Sequence, residues 1–359
     1  MNFPILYKKT TKDQTQQWQI VVEDNYFYTI EGITGGKLTT SMPTYCEGKN
    51  IGKKNETSPE EQALAEATAK HQKKLDGNYN EVLTNEKKFF EPMLAHKYED
   101  HKKLLFTVPT FVQPKLDGLR AISANNELTS RNGKKYIATP HLYHSTSAIL
   151  DGELYSHEYK EDFNKIVSLC KKTKPTKEDI QESSSKVEYW IYDLPSVNEV
   201  FSKRQAALTE LLKEMNNPKY ILVPTYEIKN QSELDSYHEK FLNEGFEGSI
   251  IRLDLKTYEN KRSKQLLKMK NWIDDEFEIV DVVEGEGGRA GTVGNFVVKL
   301  NDGTTCKSNI KGTHEYLAEL LDQKDQLIGK TATIKYFNKT PDGKLRFPYV
   351  IKIAREDFE

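Results

Sequence analysis

The stretch Phe111-Val112-Gln113-Pro114-Lys115-Leu116-Asp117-Gly118-Leu119-Arg120-Ala121-Ile122-Ser123 constrains this chain more than any other. Two strand-like runs are broken only at Pro114 and Gly118, which predicts a lysine in a tight turn between two buried strands. A side chain there is held at a fixed position, which a nucleophile needs and a solubilising charge does not. Lysine is a poor nucleophile while protonated, and it is activated by burial or by neighbouring cations that lower its pKa. Whether Lys115 is such a group or a surface lysine in a hairpin depends on what else the chain places around it.

The 359 residues give room for two or three domains, and 36% hydrophobic with 30% charged residues is enough apolar material for ordinary cores. A net charge of −2 permits local basic surfaces and excludes a global basic field. Cys46, Cys170 and Cys306 form no Cys-x-x-Cys pair, which argues against a zinc module or a disulfide framework and fits a reducing compartment. Met1 to Lys9 carries no sustained apolar run, so neither a signal peptide nor a membrane span is expected, and the expected location is the cytoplasm.

Residues 1–88 read as a small α+β domain. Gln17–Val22 and Tyr26–Ile30 predict a hairpin, and Ser58-Pro59-Glu60-Glu61 predicts a helix start with a capping box, the helix ending near Asp76. The segment holds 12 Lys and no Arg against 12 Asp and Glu, so its charge alone makes no case for nucleic-acid binding. Residues 78–88 are polar and read as a linker.

In the central part, 89–270, Leu150-Asp151-Gly152-Glu153-Leu154-Tyr155 alternates so that Asp151, Glu153 and Tyr155 are expected on one strand face. Two carboxylates there repel unless a cation, a metal or a hydroxyl joins them. Val187–Leu194 is a strand with aromatic residues on both faces, and residues 202–216 and 232–243 are amphipathic helices. Glu247 sits between Phe246 and Gly248, with Gly245 just before, at the mouth of an apolar strand where backbone or ligand can approach closely. Lys268 and Lys270 share a strand face, an arrangement that calls for an anion such as phosphate between them.

These motifs, Lys115-x-Asp117-Gly118-x-Arg120, Asp151-Gly152-Glu153, the Tyr192 strand, Glu247-Gly248 and Lys268-x-Lys270, resemble in order and separation those of the covalent nucleotidyltransferases: ATP-dependent DNA ligases, RNA ligases and mRNA-capping guanylyltransferases. Glu91-Pro92-Met93-Leu94-Ala95 resembles the stretch that introduces the ligase adenylation domain. The resemblance implies an ATP-grasp-like nucleotidyltransferase (adenylation) domain over 89–270, in which Lys115, its neutral amine favoured by the cations and Mg²⁺ around it, attacks the α-phosphate and holds AMP as a phosphoramide. It implies that Gln113 reads the base edge, Tyr192 stacks on the base, and Arg120 and Glu153 address the ribose. Glu247, with Glu153, would hold Mg²⁺; Lys268 and Lys270 would meet the α-phosphate; Arg131 would bind the 5′-phosphate of a nick. Trp18, Gly35-Gly36-Lys37 and the following helix faintly resemble a WGR-type DNA-end-binding domain, without its Trp-Gly-Arg tripeptide.

Residues 271–359 show strand patterns over 276–283, 294–300, 304–310, 330–336 and 349–353, with one helix over 313–326, as expected of a five-stranded OB-fold barrel. The glycine-rich run from Gly285 to Gly291 joins two strands and opens no helix, so it is read as a hairpin loop and not a dinucleotide fingerprint. The run from Asp342 to Arg355 resembles the last ligase motif, which implies that Arg346, Lys352 and Arg355 orient the pyrophosphate; Ala354 stands where the family often has arginine. The implied activity is that of an ATP-dependent DNA ligase of the small phage or viral kind, a monomer acting on nicked duplex DNA in replication, repair and recombination. An RNA ligase or capping guanylyltransferase is the nearest alternative, and a non-catalytic nucleic-acid-binding scaffold is the reading from another class.

Overall fold

The computed structural model describes residues 1–10, 12–84, 89–286, 289–340 and 342–353. It divides into two compact units, Phe89–Asn271 in one and Met1–Lys88 with Trp272–Glu359 in the other.

The N-terminal segment is an antiparallel sheet of β1 (Leu6–Lys9), β2 (Thr15–Glu23), β3 (Tyr26–Ile33), β4 (Leu38–Thr40) and β5 (Thr44–Tyr45), backed by α1 (Pro59–Leu75). β2 and β3 form the predicted hairpin, with Asp24 in the left-handed region at its tip. At α1, Ser58 accepts from the Glu61 N–H while Glu61 accepts from the Ser58 N–H, and Asp76 caps the other end. Leu6, Trp18, Ile20 and Phe27 pack on Ala63 and Ala67 of that helix.

The unit Phe89–Asn271 contains β6 (Leu94–Lys97), α2 (Tyr98–His101), β7 (Thr110–Lys115), β8 (Leu119–Ala124), β9 (Glu127–Ser130), β10 (Leu150–Tyr155), α3 (Phe163–Cys170), α4 (Lys177–Lys186), β11 (Glu188–Asp193), α5 (Phe201–Met215), β12 (Tyr220–Leu222), β13 (Tyr226–Ile228), α6 (Gln231–Asn243), β14 (Gly248–Leu253) and β15 (Arg262–Lys270). The strands make two sheets, ordered β12-β11-β10-β8-β9 and β13-β7-β14-β15-β6. β7 and β8 therefore do not form a hairpin: Leu116 to Gly118 carries the chain from one sheet to the other. Each sheet buries one face under helices. Val112, Ile251 and Leu267 pack with Leu234 and Phe241 of α6, and Leu150, Leu154 and Ile191 pack with Ile166 of α3 and Leu208 of α5.

β10 keeps an unbroken register against β8 from Leu150 to Leu154, and Asp151 and Glu153 share the Arg120 side as expected. The bulge lies in β11, where Tyr192 is the extra residue between the pairing of Asp151 with Asp193 and that of Gly152 with Ile191. Tyr155 joins Leu150 and Leu154 in the core, and Asp151 is fully buried among polar partners. Helices α3 and α4 were not predicted. α4 buries only Ser183, so it carries no apolar stripe to read.

The remaining strands, β16 (Ile273–Glu284), β17 (Val293–Lys299), β18 (Thr305–Ile310), β19 (Thr331–Tyr336) and β20 (Tyr349–Ile353), close into a barrel in the order β16-β17-β18-β20-β19. The helix expected over 313–326 is two pieces, α7 (His314–Asp322) and α8 (Lys324–Leu327), between β18 and β19. The Gly285–Gly291 run joins β16 to β17 as expected, though Gly287 and Gly288 lie outside the described residues. Among the described residues no helix is long and apolar enough to cross a membrane.

Candidate active site

Strand register builds the site. Gly248 of β14 pairs with Lys115 of β7 on one side and Lys270 of β15 on the other; two residues on, Ile250 pairs with Gln113 and Lys268. A third step brings Arg252 opposite Phe111 and Leu266. Because side chains alternate, these three rows share the face turned away from α6. Gly248 has φ +146°, and a Cβ there would lie 2.3 Å from the Met269 carbonyl oxygen, so only glycine allows the first row to close.

Glu247, just before that row, donates its N–H to the Lys115 carbonyl at 2.9 Å. Its carboxylate accepts from Lys115 Nζ on one oxygen and Lys270 Nζ on the other. Burial opposes the charged amine of Lys115, but Glu247 and Glu153 outweigh it and the net shift is upward. This corrects the expectation that surrounding cations keep Lys115 neutral: in the free protein a carboxylate is wedged between two lysines and favours the ammonium. Glu247 itself is shifted down, its burial outweighed by the same two lysines. Lys268 is pushed down by burial and by Lys270 and Lys115.

The other sheet supplies Arg120, Glu153 and Tyr192. Glu153 pairs with Arg120 across β10 and β8, and its Oε1 accepts the Gly118 N–H at 3.2 Å. Burial pushes the Glu153 carboxyl up to about 7, against the pull of Lys115 and Arg120. The Tyr192 hydroxyl donates to the Gly152 carbonyl at 3.1 Å, and the Arg120 and Arg252 guanidinium carbons lie 5.1 and 5.2 Å from its ring centre.

Residues of both sheets line one pocket of ≈ 240 Å³, with Lys115, Gln113, Arg120, Glu153, Tyr192, Arg252 and Lys268 on its walls, together with Arg131 from the turn after β9. Gln113 is almost fully buried; its Oε1 accepts from Arg252 Nε at 3.0 Å and its Nε2 donates to Thr225 Oγ1 at 2.9 Å. Arg346 lies before β20 with its guanidinium 5.5 and 5.6 Å from the Phe337 and Phe347 rings, and Lys352 is exposed on β20. Arg355 lies outside the described residues.

A second set of groups supports the pocket: Asp151, expected to need a cation or a hydroxyl beside it, has both, whereas Asp193, Arg252 and Tyr258 have no role in the sequence reading. Asp193, fully buried at the end of β11, accepts from Arg204 Nε at 2.6 Å and Arg252 Nη1 at 2.8 Å, which ties α5 and β14 to the pocket floor. Asp151 accepts from Arg120 Nε at 2.6 Å and from the Tyr258 hydroxyl at 2.6 Å. The signal that could have found Arg252 and Asp193 is a charged residue inside an otherwise apolar strand, which burial forbids without a partner.

No cluster of three or more His, Cys, Asp or Glu able to hold a metal occurs among the described residues. Glu247 and Glu153 beside Lys115 nevertheless suit a hard cation such as Mg²⁺, which binds by one or two carboxylates and completes its shell with water and substrate phosphate.

A lysine held among cations and carboxylates at the rim of a pocket sized for a nucleoside, in a two-sheet domain followed by a closed barrel, is the arrangement of a nucleotidyltransferase. The family model of the ATP dependent DNA ligase domain matches residues 92–270, and that of the DNA ligase OB-like domain matches 284–353. The DNA ligase of African swine fever virus (Pretoriuskop tick isolate) is 26% identical over 339 residues, covering 80% of this chain and 77% of the relative. That of Enterobacteria phage T4 is 24% identical over 337 residues, covering 74% and 68%. Among solved structures, a Lig E DNA ligase superposes with a TM-score of 0.62 at 24% identity, covering 73% of this chain and 98% of its own, which shows a shared fold. The chain belongs to the ATP-dependent DNA ligase family.

Proposed function

We propose that this DNA ligase seals 3′-OH/5′-phosphate nicks in duplex DNA, as a monomer, with Lys115 as its nucleophile. Lys115 takes AMP from ATP with release of pyrophosphate, the AMP passes to the 5′-phosphate at the nick, and the 3′-OH displaces it as the phosphodiester forms. The observation that carries this reading is the row Lys115–Gly248–Lys270, bridged by Glu247, at the rim of the pocket.

In this reading Lys268 and Lys270 receive the α-phosphate, while Tyr192 and Gln113 border the base and Arg120 and Glu153 the ribose. Lys268 and Lys270 neutralise charge that develops on the phosphoryl oxygens. Attack requires the neutral amine, so the Glu247 contact to Lys115 is released when nucleotide binds. Glu247 and Glu153 would hold Mg²⁺, which when bound adds further positive charge at the reacting phosphate. Arg131 meets the 5′-phosphate of the nick, and Arg346 and Lys352 bring positive charge to the leaving pyrophosphate.

Incubation with labelled ATP or GTP, followed by addition of a nicked duplex, tests the reading. Label from ATP on the protein, then on the nick, then release of AMP with a sealed strand is expected. Label from GTP alone would move the assignment to a capping guanylyltransferase, sealing of RNA nicks alone to an RNA ligase, and no label from either to a non-catalytic scaffold.

A further inference from the structure

Arg120 is held by more than its partner carboxylate. Its Nε and Nη2 each donate to Asp151 at 2.6 Å, and Nη2 also donates to the Met93 carbonyl at 3.0 Å. The Tyr258 hydroxyl donates to Asp151 Oδ2 at 2.6 Å and accepts the Met93 N–H at 2.7 Å. Arg120, Asp151, Tyr258 and Met93 thus close a ring of hydrogen bonds. Asp151 and Met93 are 0% and 1% exposed, so neither finds solvent as a substitute partner.

We propose that Tyr258 is a positioning residue for the nucleotide: through Asp151 and the Met93 peptide it fixes the Arg120 guanidinium on the pocket wall. The proposal rests on reading that pocket as the ATP site. The ring's bonds occupy Nε and Nη2 of Arg120, leaving Nη1 as the group to meet a polar ligand atom in the pocket that Arg120 lines. Tyr258 is itself anchored. It lies between β14 and β15, where Asn260 Nδ2 donates to the Glu91 carbonyl at 2.6 Å and the Leu94 N–H to the Lys261 carbonyl at 3.0 Å. A phenol that reaches from a connecting loop to a buried carboxylate costs desolvation, which the fold tolerates where the hydroxyl has defined partners. Without it, Asp151 and the Met93 N–H lose the hydroxyl that links them, so the two acceptors of Arg120 are no longer tied to each other and the guanidinium is placed less tightly.

Tyr258→Phe tests this, because it keeps the ring beside Phe90 and Arg204 and removes only the hydroxyl. In lysine adenylylation by the full chain, KM for ATP is expected to rise about tenfold with kcat within about twofold, the mark of lost binding rather than lost chemistry. Arg120→Lys alone raises KM as well, and the double variant rises no further than Arg120→Lys, since Tyr258 acts through Arg120. Asp151→Asn, which weakens the same link, gives the same non-additive rise and serves if Tyr258→Phe does not fold. An unchanged KM in Tyr258→Phe, or effects that add in the double variant, overturns the proposal while leaving the pocket reading intact. An unchanged KM in Arg120→Lys overturns both.

Discussion

Lys115 and Lys270 stand on different strands at one register position, on either side of Gly248, and share the carboxylate of Glu247. Two ammonium groups this close would repel across a half-buried surface, and the shared carboxylate offsets that repulsion. The relationship links sequence to function directly, since the missing side chain at position 248 lets the two lysines share one row.

Gly248→Ala tests that link. Position 248 combines a φ of +146° with a 2.3 Å approach of any Cβ to the Met269 carbonyl oxygen. The variant is expected to lose at least about 2 kcal/mol of unfolding free energy and most adenylylation. Denaturant titration and labelled-ATP incubation measure the two losses, and a fully active, fully stable variant would show that the row tolerates a side chain.

The Asp193 network gives a second expectation. Arg204 and Arg252 are 1% and 3% exposed and both rely on Asp193. Asp193→Ala leaves two buried guanidinium groups without their carboxylate, and a loss of about 3–5 kcal/mol is expected in chemical denaturation. A loss below about 1 kcal/mol would mean that the arginines find other partners.

Glu153 makes stability depend on pH in a direction that can be fixed in advance. Burial raises its carboxyl from the ordinary 4.5 to about 7, so the folded state favours the protonated form. Its contribution is complete below about pH 4.5 and is lost as pH rises to about 7. Glu153→Gln stays neutral throughout, so its stability relative to the parent should improve across that window when no nucleotide is present. Parallel curves for the two proteins would place Glu153 in an environment that does not shift it.

The N-terminal segment can be separated from the chemistry. All residues of the pocket belong to Phe89–Asn271, while the N-terminal sheet packs on α1 through its own core. Removal of residues 1–88 is expected to spare adenylylation and to weaken nick binding, with a shallower dependence on salt as phosphate contacts are lost. Equal nick affinity in filter binding would make the segment a packing appendage.

Much of this was legible in the sequence, because the key residues sit at strand ends and turns where local pattern speaks. Lys115, Glu247 and Lys270 could be singled out by a proline break, a flanking glycine and a two-residue repeat. Pairing between sheets was not legible: β7 and β8 look like the arms of a hairpin until the register shows them in separate sheets. Asp193, Arg252 and Tyr258 take their roles from partners 59 and 107 positions away, which no local window contains. The charge state of Lys115 was misjudged for the same reason, since the sequence counts nearby lysines but does not say that Glu247 lies between them.

The most direct test is the site of the adduct. After incubation with ATP and Mg²⁺, the intact protein should gain the mass of one AMP, and peptide mapping should place it on Lys115, with Lys115→Ala gaining nothing. An adduct on another residue, or an unaltered mass in the native protein with a full adduct in Lys115→Ala, would contradict the assignment of Lys115 as the nucleophile.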